Sequence, residues 1–153
     1  RVTEADRVKF DKEKLKKQGI SGPDVTLLKK EGFLKIDGKK IQLDAVSWVK
    51  KGEVLAVTID SLPCPQIVKL AKDAQVFICE STYLETEKEL AHKYLHMTAG
   101  QAASLAQEAG VKLLILTHFS ARYQDLKAFK EEAEKIFPQV EVAEDFKRFK
   151  FPC

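Results

Sequence analysis

Three short apolar runs constrain the fold of this chain most: VLAVTI at 54–59, VFIC at 76–79 and LLILT at 113–117. Each run is apolar at both alternating sets of positions, which is typical of strands buried on both faces of a parallel sheet. The VEVA segment at 140–143 predicts a fourth strand, at an edge of the sheet. Helical patterns lie between these runs, so the order of elements predicts an α/β layered domain.

The helices between these strands are marked by their ends. Pro65 opens the first helix, because proline is favoured at the first helical position. Thr98 and Gln101 form a capping box that opens the second helix, and Gly110 ends it. The third helix keeps helical spacing of its apolar residues over 126–136.

The first third of the chain is built from shorter pieces. A charged helix is predicted over 11–18, followed by a turn or linker at 21–23. Two short strands at 33–36 and 40–43, joined by Asp37-Gly38, predict a β-hairpin.

The length of 153 residues is that of one domain. We expect a single domain over 1–153, in which 1–53 is a lead-in with a small helix and a hairpin, and 54–153 is the α/β core. A content of 44% hydrophobic and 32% charged residues is typical of a soluble globular protein. No apolar run approaches membrane-spanning length, so we expect no membrane association.

The charge is distributed unevenly along the chain. Residues 1–53 hold 14 Lys and Arg against 9 Asp and Glu, whereas residues 54–153 hold 12 against 14. A basic front attached to a balanced rear could bind phosphate groups. On charge alone, an ordinary solvated surface is the favoured interpretation.

The cysteines and the first residues of the chain indicate its cellular location. Cys64, Cys79 and Cys153 are odd in number and have no CxxC spacing, so a disulfide framework is not expected and the cytoplasm is the predicted location. The first residues are charged, which is unlike a secretory signal. The sequence does not begin with Met, which hints at a fragment of a longer protein.

Polar side chains follow the three apolar runs, at the point where each predicted strand ends. Asp60 follows the first run, Glu80 the second and His118 the third. Because functional groups collect at the carboxyl ends of strands in α/β sheets, we expect these side chains to lie close together. Each of them could also be an ordinary polar residue at a strand exit, but the three together favour a site.

Two further histidines need an interpretation. His96 stands two residues before Thr98, the predicted helix cap, where it could face a phosphate drawn to the helix N-terminus. Taken alone, it would more simply be a partly buried histidine bonded to backbone. His92 lies in a charged connection with no strand end or cap nearby, and we interpret it as a surface residue.

Four segments together resemble a known family. They are TIDS around Asp60, ICESTY around Glu80, LHMTAGQAA around His96 and LILTHFSARY around His118. In this order and at much these spacings they resemble the C-terminal half of ribonuclease Z, a family of the metallo-β-lactamase superfamily. The opening FDKEKLKKQGISGP and the hairpin also resemble that family, so the resemblance covers nearly the whole chain.

The resemblance implies a fold, an activity and a cofactor. The fold would be the C-terminal half of an αβ/βα sandwich, with two zinc ions held between its two halves. The activity would be zinc-dependent endonucleolytic cleavage of precursor tRNA at its 3′ end.

The resemblance also implies roles for individual residues. Asp60 would bridge the two zinc ions and His118 would bind one of them. His96 would act at the scissile phosphate or the leaving oxygen, with Glu80 orienting its ring. Arg122 would contact an RNA phosphate, because a guanidinium matches phosphate oxygens in pairs. Tyr123 completes the motif, but it is assigned no role.

The chain departs from the family pattern at several points. The family's HxHxDH ligand cluster, a further histidine ligand and the flexible tRNA-binding arm would all lie upstream, so this chain carries only part of the metal site. Ile59 replaces a glycine of the family, which could alter a tight loop beside the metal. Cys79 replaces a histidine, and we expect it to pack as a small hydrophobic residue rather than to bind metal.

These departures leave alternatives open. The expected partners are precursor tRNA and either an N-terminal half that carries the HxHxDH ligands or a second copy of this chain, and the chain alone should be inactive. It could instead be a non-catalytic half-domain or an incomplete homologue that serves as an RNA- or protein-binding scaffold. A third alternative is another metallo-β-lactamase-fold hydrolase that acts on an ester or a lactone.

The end of the chain alternates aromatic and basic residues over 145–151. Such interleaving can mark binding of single-stranded RNA. At a period of two it also describes a final strand with one face in the core, and we favour that interpretation.

Overall fold

The structure is a computed structural model that describes residues 1–152. The chain forms two compact units: Ala5–Gly52, and a larger unit that joins Arg1–Glu4 to the segment from Glu53 onward. The boundary at Gly52 lies one residue from the predicted end of the lead-in. That the whole chain acts as one domain stays a prediction.

The smaller unit contains two helices and two pairs of strands. Its elements are β2 (Arg7–Phe10), α1 (Lys12–Lys17), α2 (Pro23–Glu31), β3 (Phe33–Ile36), β4 (Lys39–Gln42) and β5 (Ser47–Lys50), with a 3₁₀ turn at Leu43–Ala45. β2 pairs with β5 and β3 pairs with β4, both antiparallel. The unit has its own small core, around Leu15, Leu28, Leu34, Ile41 and Val46.

The predicted helix and hairpin of this unit are confirmed. The carboxylate of Asp11 accepts hydrogen bonds from the backbone N–H groups of Glu13 and Lys14, and so caps α1. Asp37 and Gly38 both have positive φ, 47° and 77°. This geometry suits a two-residue hairpin turn that matches the twist of the strands it joins.

The turn or linker predicted at 21–23 is wrong in part, because Pro23 is the first residue of α2. Proline fits the first helical position, where its missing N–H is not needed for an intrahelical hydrogen bond. Val25 and Leu28 then pack into the small core. A turn signal and a helix start use the same residues here, and burial of the apolar side of α2 favours the helix.

The larger unit is an α/β layer, as predicted. Its strands are β1 (Val2–Thr3), β6 (Val54–Thr58), β7 (Val76–Glu80), β8 (Leu113–Thr117) and β9 (Val140–Val142), and its helices are α3 (Pro65–Ala71), α4 (Lys88–Lys93), α5 (Ala99–Ala109) and α6 (Lys127–Glu134). The sheet order is β1-β6-β7-β8-β9, with β6 to β9 parallel and β1 antiparallel at one edge. β9 lies at the other edge, as expected.

The predicted capping box of α5 is present in full. The hydroxyl of Thr98 accepts the backbone N–H of Gln101, and the side chain of Gln101 accepts the backbone N–H of Thr98. Gly110 ends the helix with a left-handed backbone. This arrangement fixes where α5 begins, two residues after His96.

Helices cover one face of the sheet. Phe77, Cys79, Leu114 and Leu116 alternate along β7 and β8 and share a core with α3, α5 and α6. The opposite face also carries apolar side chains, namely Leu55, Val57, Val76, Ile78, Leu113 and Ile115. Of these, Val57 is 42% exposed. The second face of β6 is therefore only partly buried within this chain, and its cover by another protein layer stays a prediction.

The final strand predicted over 145–151 is not formed. Residues 145–146 form a turn, the next residues have no regular structure, and the side chain of Phe146 is fully exposed. The N–H of Ala143 bonds to Leu116 of β8, the chain then turns at 145–146, and no strand of the described residues pairs with the segment that follows. Alternation of aromatic and basic residues was therefore not sufficient to form a strand over 145–151.

Among the described residues, Cys64 and Cys79 are free cysteines; Cys153 lies outside them. No helix in the described part of the chain is long and apolar enough to cross a membrane.

Candidate functional site

The ends of three neighbouring parallel strands bring the predicted site residues together. Glu80 is the last residue of β7, His118 directly follows β8, and Asp60 stands two residues after β6. Because β6, β7 and β8 are parallel and adjacent, their carboxyl ends share one edge of the sheet. His96 reaches the same edge from the loop before α5.

Asp60, His96 and His118 form a compact cluster. One ligand atom from each of them lies within 4.8 Å of the other two. Nε2 of His118 is 3.1 Å from Oδ1 of Asp60, and the ring centres of His96 and His118 are 5.3 Å apart. The expected proximity of these side chains is confirmed, whereas their roles stay predictions.

Two members of the cluster have a strained backbone. Asp60 has φ 49° and His118 has φ 57°, in the left-handed region that non-glycine residues rarely adopt. Such strain is concentrated at functional sites, where the surrounding structure holds it. Ile59 does not have a positive φ. The sharp turn thus falls on Asp60, so an isoleucine is accommodated at the position before it.

Glu80 is the buried centre of this edge. Its side chain has no exposure to solvent, and its carboxylate accepts hydrogen bonds from the N–H of Ser61, the hydroxyl of Thr82 (2.7 Å) and the N–H of Met97 (3.3 Å). Nδ1 of His96 lies 3.1 Å and 3.2 Å from its two oxygens. Glu80 therefore ties the loop of Asp60 and the loop of His96 to the same strand end.

The contact with Glu80 determines which nitrogen of His96 is available. Nδ1 faces a buried carboxylate, which can only accept, so Nδ1 carries a proton. The side chain of His96 is 21% exposed. Its Nε2 is then the atom left for a metal, for water or for a reacting group.

Arg122 lies near this cluster but is already paired. Its guanidinium is 2.6 Å from Oε1 of Glu87 and stands over the ring of Tyr83, 5.3 Å from the ring centre. The ring of Tyr83 is in turn 6.3 Å from the ring of His96. The predicted contact between Arg122 and RNA phosphate stays a prediction.

Sequence analysis missed the part played by Tyr123. Its hydroxyl donates to Glu87 and accepts the N–H of Leu84 at 3.2 Å, while its ring packs edge-on against Phe129. Tyr123 thus anchors the loop that carries Arg122. In the sequence, the adjacent Arg122 and Tyr123 of the SARY segment could have suggested that both side chains bind the same acidic residue.

Cys79 is not part of the cluster. It is completely buried, and its Sγ lies 3.6 Å from Sδ of Met97. Burial, together with the charge of Glu80, raises the pKa of the Cys79 thiol well above its usual value. Since a metal ligand would be a thiolate, the position fits the predicted packing role.

His92 is exposed, as predicted, on the short helix α4. Together with Leu62, Pro63, His96 and Gln101 it lines a shallow groove beside the cluster. We assign no catalytic role to the other residues of this groove, but the groove leaves His96 accessible to solvent.

The donor atoms of the cluster fit a zinc ion. A carboxylate oxygen and imidazole nitrogens are the ligand types that zinc prefers. A zinc site has three or four protein ligands, so Asp60, His96 and His118 together could complete one ion. If His96 is not a ligand, Asp60 and His118 hold zinc only with ligands from elsewhere.

Curated proteins called ribonuclease Z match the chain over almost its whole length. The protein of Protochlamydia amoebophila (strain UWE25) is 52% identical over 151 residues, which are 99% of this chain and 49% of that protein. The protein of Chlamydia abortus is 49% identical over 152 residues, 99% of this chain and 50% of that protein. The chain spans about half the length of these relatives. No family model matches the sequence.

Solved structures show the same fold. The metallo-β-lactamase fold protein YhfI from Bacillus subtilis matches 73% of this chain and 45% of its own, with a TM-score of 0.56 and 21% identity. The short form of human tRNase Z matches 70% of this chain and 38% of its own, with a TM-score of 0.53 and 28% identity. The chain is therefore a homologue of ribonuclease Z over about half of that protein's length, and its fold is that of metallo-β-lactamase fold proteins.

Proposed function

We propose that this chain supplies one side of a dinuclear zinc site that cleaves precursor tRNA at its 3′ end. The observation that carries the proposal is the cluster of Asp60, His96 and His118 around the buried Glu80. The chain's similarity to about half of ribonuclease Z supports the substrate class. A cytoplasmic location, expected from the cysteine pattern, is part of the same proposal.

In this proposal Asp60 and His118 hold metal, and His96 with Glu80 handles a proton. Bound zinc would generate a nucleophile from water at neutral pH and stabilise the charge that develops on the phosphate oxygens. A water oxygen would bond to phosphorus as the bond between phosphorus and the 3′ oxygen breaks, which leaves a 3′-hydroxyl on the tRNA body and the phosphate on the released trailer. His96, as an imidazolium, would give the proton on Nε2 to that leaving oxygen, while the Glu80 carboxylate holds Nδ1 in place.

Arg122 is proposed to bind a phosphate of the RNA. Its guanidinium already donates to the carboxylate of Glu87 through one nitrogen. A guanidinium has five N–H donors in a planar fork, so it can keep one contact with Glu87 while it binds a phosphate. Its position over Tyr83, next to His96, puts this contact beside the proposed reacting group.

The remaining metal ligands are proposed to come from a second half. The helix-free face of the sheet exposes Val57 and carries further apolar side chains of β7 and β8. Apolar surface of this kind is stabilised by contact with another protein layer. An N-terminal half that carries the HxHxDH ligands, or failing that a second copy of this chain, would cover it.

The smaller unit is proposed to add a surface for RNA. Residues 5–52 hold 13 Lys and Arg against 7 Asp and Glu. On the β2–β5 pair, Arg7 is opposite Lys50 and Lys9 is opposite Trp48, so these four side chains share one face of the ribbon. Trp48 is 55% exposed. A basic face with an exposed aromatic ring suits stacking on a single-stranded RNA end.

The test is reconstitution. The half of the Protochlamydia relative that this chain does not match would be mixed with the chain, and cleavage of a precursor tRNA would be compared with that of a small phosphodiester and of an ester. We expect zinc-dependent cleavage of the tRNA only. A complex that binds zinc but hydrolyses the ester alone would favour the other hydrolase. A complex that binds RNA without zinc would favour the scaffold.

A further inference from the structure

The hydroxyl of Thr82 lies between the two chemical parts of the proposed site. Its Oγ1 donates a hydrogen bond to Oε2 of Glu80 over 2.7 Å and lies 2.9 Å from Nδ1 of His118. Thr82 is 5% exposed. Glu80 in turn holds His96. One buried hydroxyl therefore links the proposed proton-handling pair to a proposed metal ligand.

A hydroxyl has a single proton, and this decides the protonation pattern along the chain of contacts. The carboxylate of Glu80 accepts the Thr82 proton, because two oxygen atoms 2.7 Å apart in a buried place need a proton between them. The Thr82 oxygen can then only accept from His118. Consequently Nδ1 of His118 carries a proton.

The opposite nitrogen is left for a cation. Nε2 of His118 faces Oδ1 of Asp60 at 3.1 Å. Without a cation between them, a lone pair on that nitrogen and the carboxylate oxygen repel each other, and in the metal-free chain the side chain of Asp60, which is 61% exposed, can turn away. Asp60 alone would favour a proton on Nε2, which blocks metal binding. Thr82 acts against this by keeping Nδ1 protonated when His118 is neutral.

We infer that Thr82 is a positioning residue that prepares His118 for zinc. Its hydroxyl donates to Glu80 and accepts the proton of Nδ1, which leaves Nε2 of His118 free as the ligand atom. The inference rests on the proposed function in one respect, that the ion held by this cluster is zinc. It adds a role for Glu80, which then orients His96 directly and His118 through Thr82. Removal of a partner of this kind typically lowers metal affinity by about 10–100-fold.

The variants are chosen to separate the hydrogen bond from the packing. Thr82→Val keeps the shape and removes the hydroxyl, whereas Thr82→Ser keeps the hydroxyl. The matched control is Ser81→Ala, which removes a neighbouring buried hydroxyl that donates to the backbone oxygen of Thr117 and makes no hydrogen bond to either histidine among the described residues.

The first readout needs no metal and no activity. Long-range proton–nitrogen NMR correlations of the ¹⁵N-labelled chain, with chelator at a pH of about 8, identify the protonated nitrogen of each histidine. We expect a proton on Nδ1 of His118 in the wild type, in Thr82→Ser and in Ser81→Ala, and on Nε2 in Thr82→Val. A wild-type His118 that lacks a proton on Nδ1 would overturn the inference without any variant.

The second readout is zinc affinity, measured by titration with zinc chloride in the presence of the complementary half. We expect a loss of about tenfold or more for Thr82→Val and almost none for Thr82→Ser or Ser81→Ala. Unchanged affinity in a folded Thr82→Val protein overturns the role of Thr82. Failure of the wild type to bind zinc or to cleave tRNA would instead count against the proposed function, and the NMR result would stand independently.

Discussion

Nδ1 of His96 lies 3.1 Å from Oε1 of Glu80, a carboxylate that is completely buried at the end of β7. The pair lies at the same sheet edge as the proposed metal ligands, and in the proposed function His96 donates a proton there while Glu80 is not a ligand. His96 and Asp60 should therefore respond differently to substitution.

In the reconstituted complex, His96→Ala should lower tRNA cleavage by about 10²-fold or more, because the leaving oxygen loses its proton donor. The zinc content should stay nearly unchanged. Asp60→Ala should lose zinc and activity together, since the proposed role of its carboxylate is to hold the metal. The two quantities are measured by metal analysis after dialysis and by cleavage assays. Equal loss of zinc in both variants would make His96 a ligand rather than a proton donor.

The chain by itself should bind zinc weakly and in less than stoichiometric amounts. Asp60 and His118 provide only two ligands where a stable site has three or four, and even His96 would complete only one ion. Metal analysis of the dialysed chain checks this, with the reconstituted complex as the comparison. Two tightly bound zinc ions per isolated chain would show that the site is complete without a second half.

The helix-free face of the sheet should make the isolated chain associate. Val57 is exposed and Leu55, Ile78 and Leu113 are partly covered, whereas Val76 and Ile115 on the same face are buried. Light scattering at micromolar concentration should show a dimer or larger species, and addition of the complementary half should replace it by a one-to-one complex. A cooperative monomer that binds no hydrophobic dye would remove the main support for a missing layer.

Glu85 should make the stability of α5 sensitive to acid. The hydrogen bond from Lys88, and next that from Thr98, lower the pKa of the Glu85 carboxyl below its usual value. Because this pKa is lower in the folded chain than in the unfolded chain, the ionised carboxylate stabilises the fold at pH values above the unfolded pKa of about 4.5. That stabilisation is lost as the pH falls through the lower pKa of the folded chain. Glu85→Gln should therefore flatten the dependence of the urea midpoint on pH below about 5, relative to Glu108→Gln, a change at an exposed position of α5.

Trp48→Ala should weaken binding of a single-stranded RNA oligonucleotide by about 1–3 kcal/mol, the usual value for one stacked base. Lys9→Gln should weaken it less and reduce the salt dependence by about one unit of slope. Val49→Ala is the matched control, because Val49 is 54% exposed but points to the other face of the ribbon. Equal binding by all three variants, in a filter or fluorescence assay, would exclude this face as an RNA surface.

Several features followed from sequence alone because their causes are local. The capping box at Thr98 and Gln101 and the turn at Asp37-Gly38 depend on residues within a few positions of each other. The parallel layer followed from apolar runs separated by helical periods, and its strand ends placed Asp60, Glu80 and His118 on one edge. The resemblance of four ordered segments added the family and the roles expected of these residues.

Other features depended on contacts between residues distant in sequence. Whether Pro23 opens a helix was decided by a core for Leu28, and residues 145–151 form no strand because no strand among the described residues pairs with them. Thr82 and His118, which meet in the link from Glu80, are 36 residues apart in sequence, and Glu87 is 35 residues from Arg122 and 36 from Tyr123. Sequence spacing identifies which residues reach the sheet edge. Only the tertiary structure decides which donor meets which acceptor there, because each hydroxyl proton and each imidazole nitrogen has one partner and packing selects it.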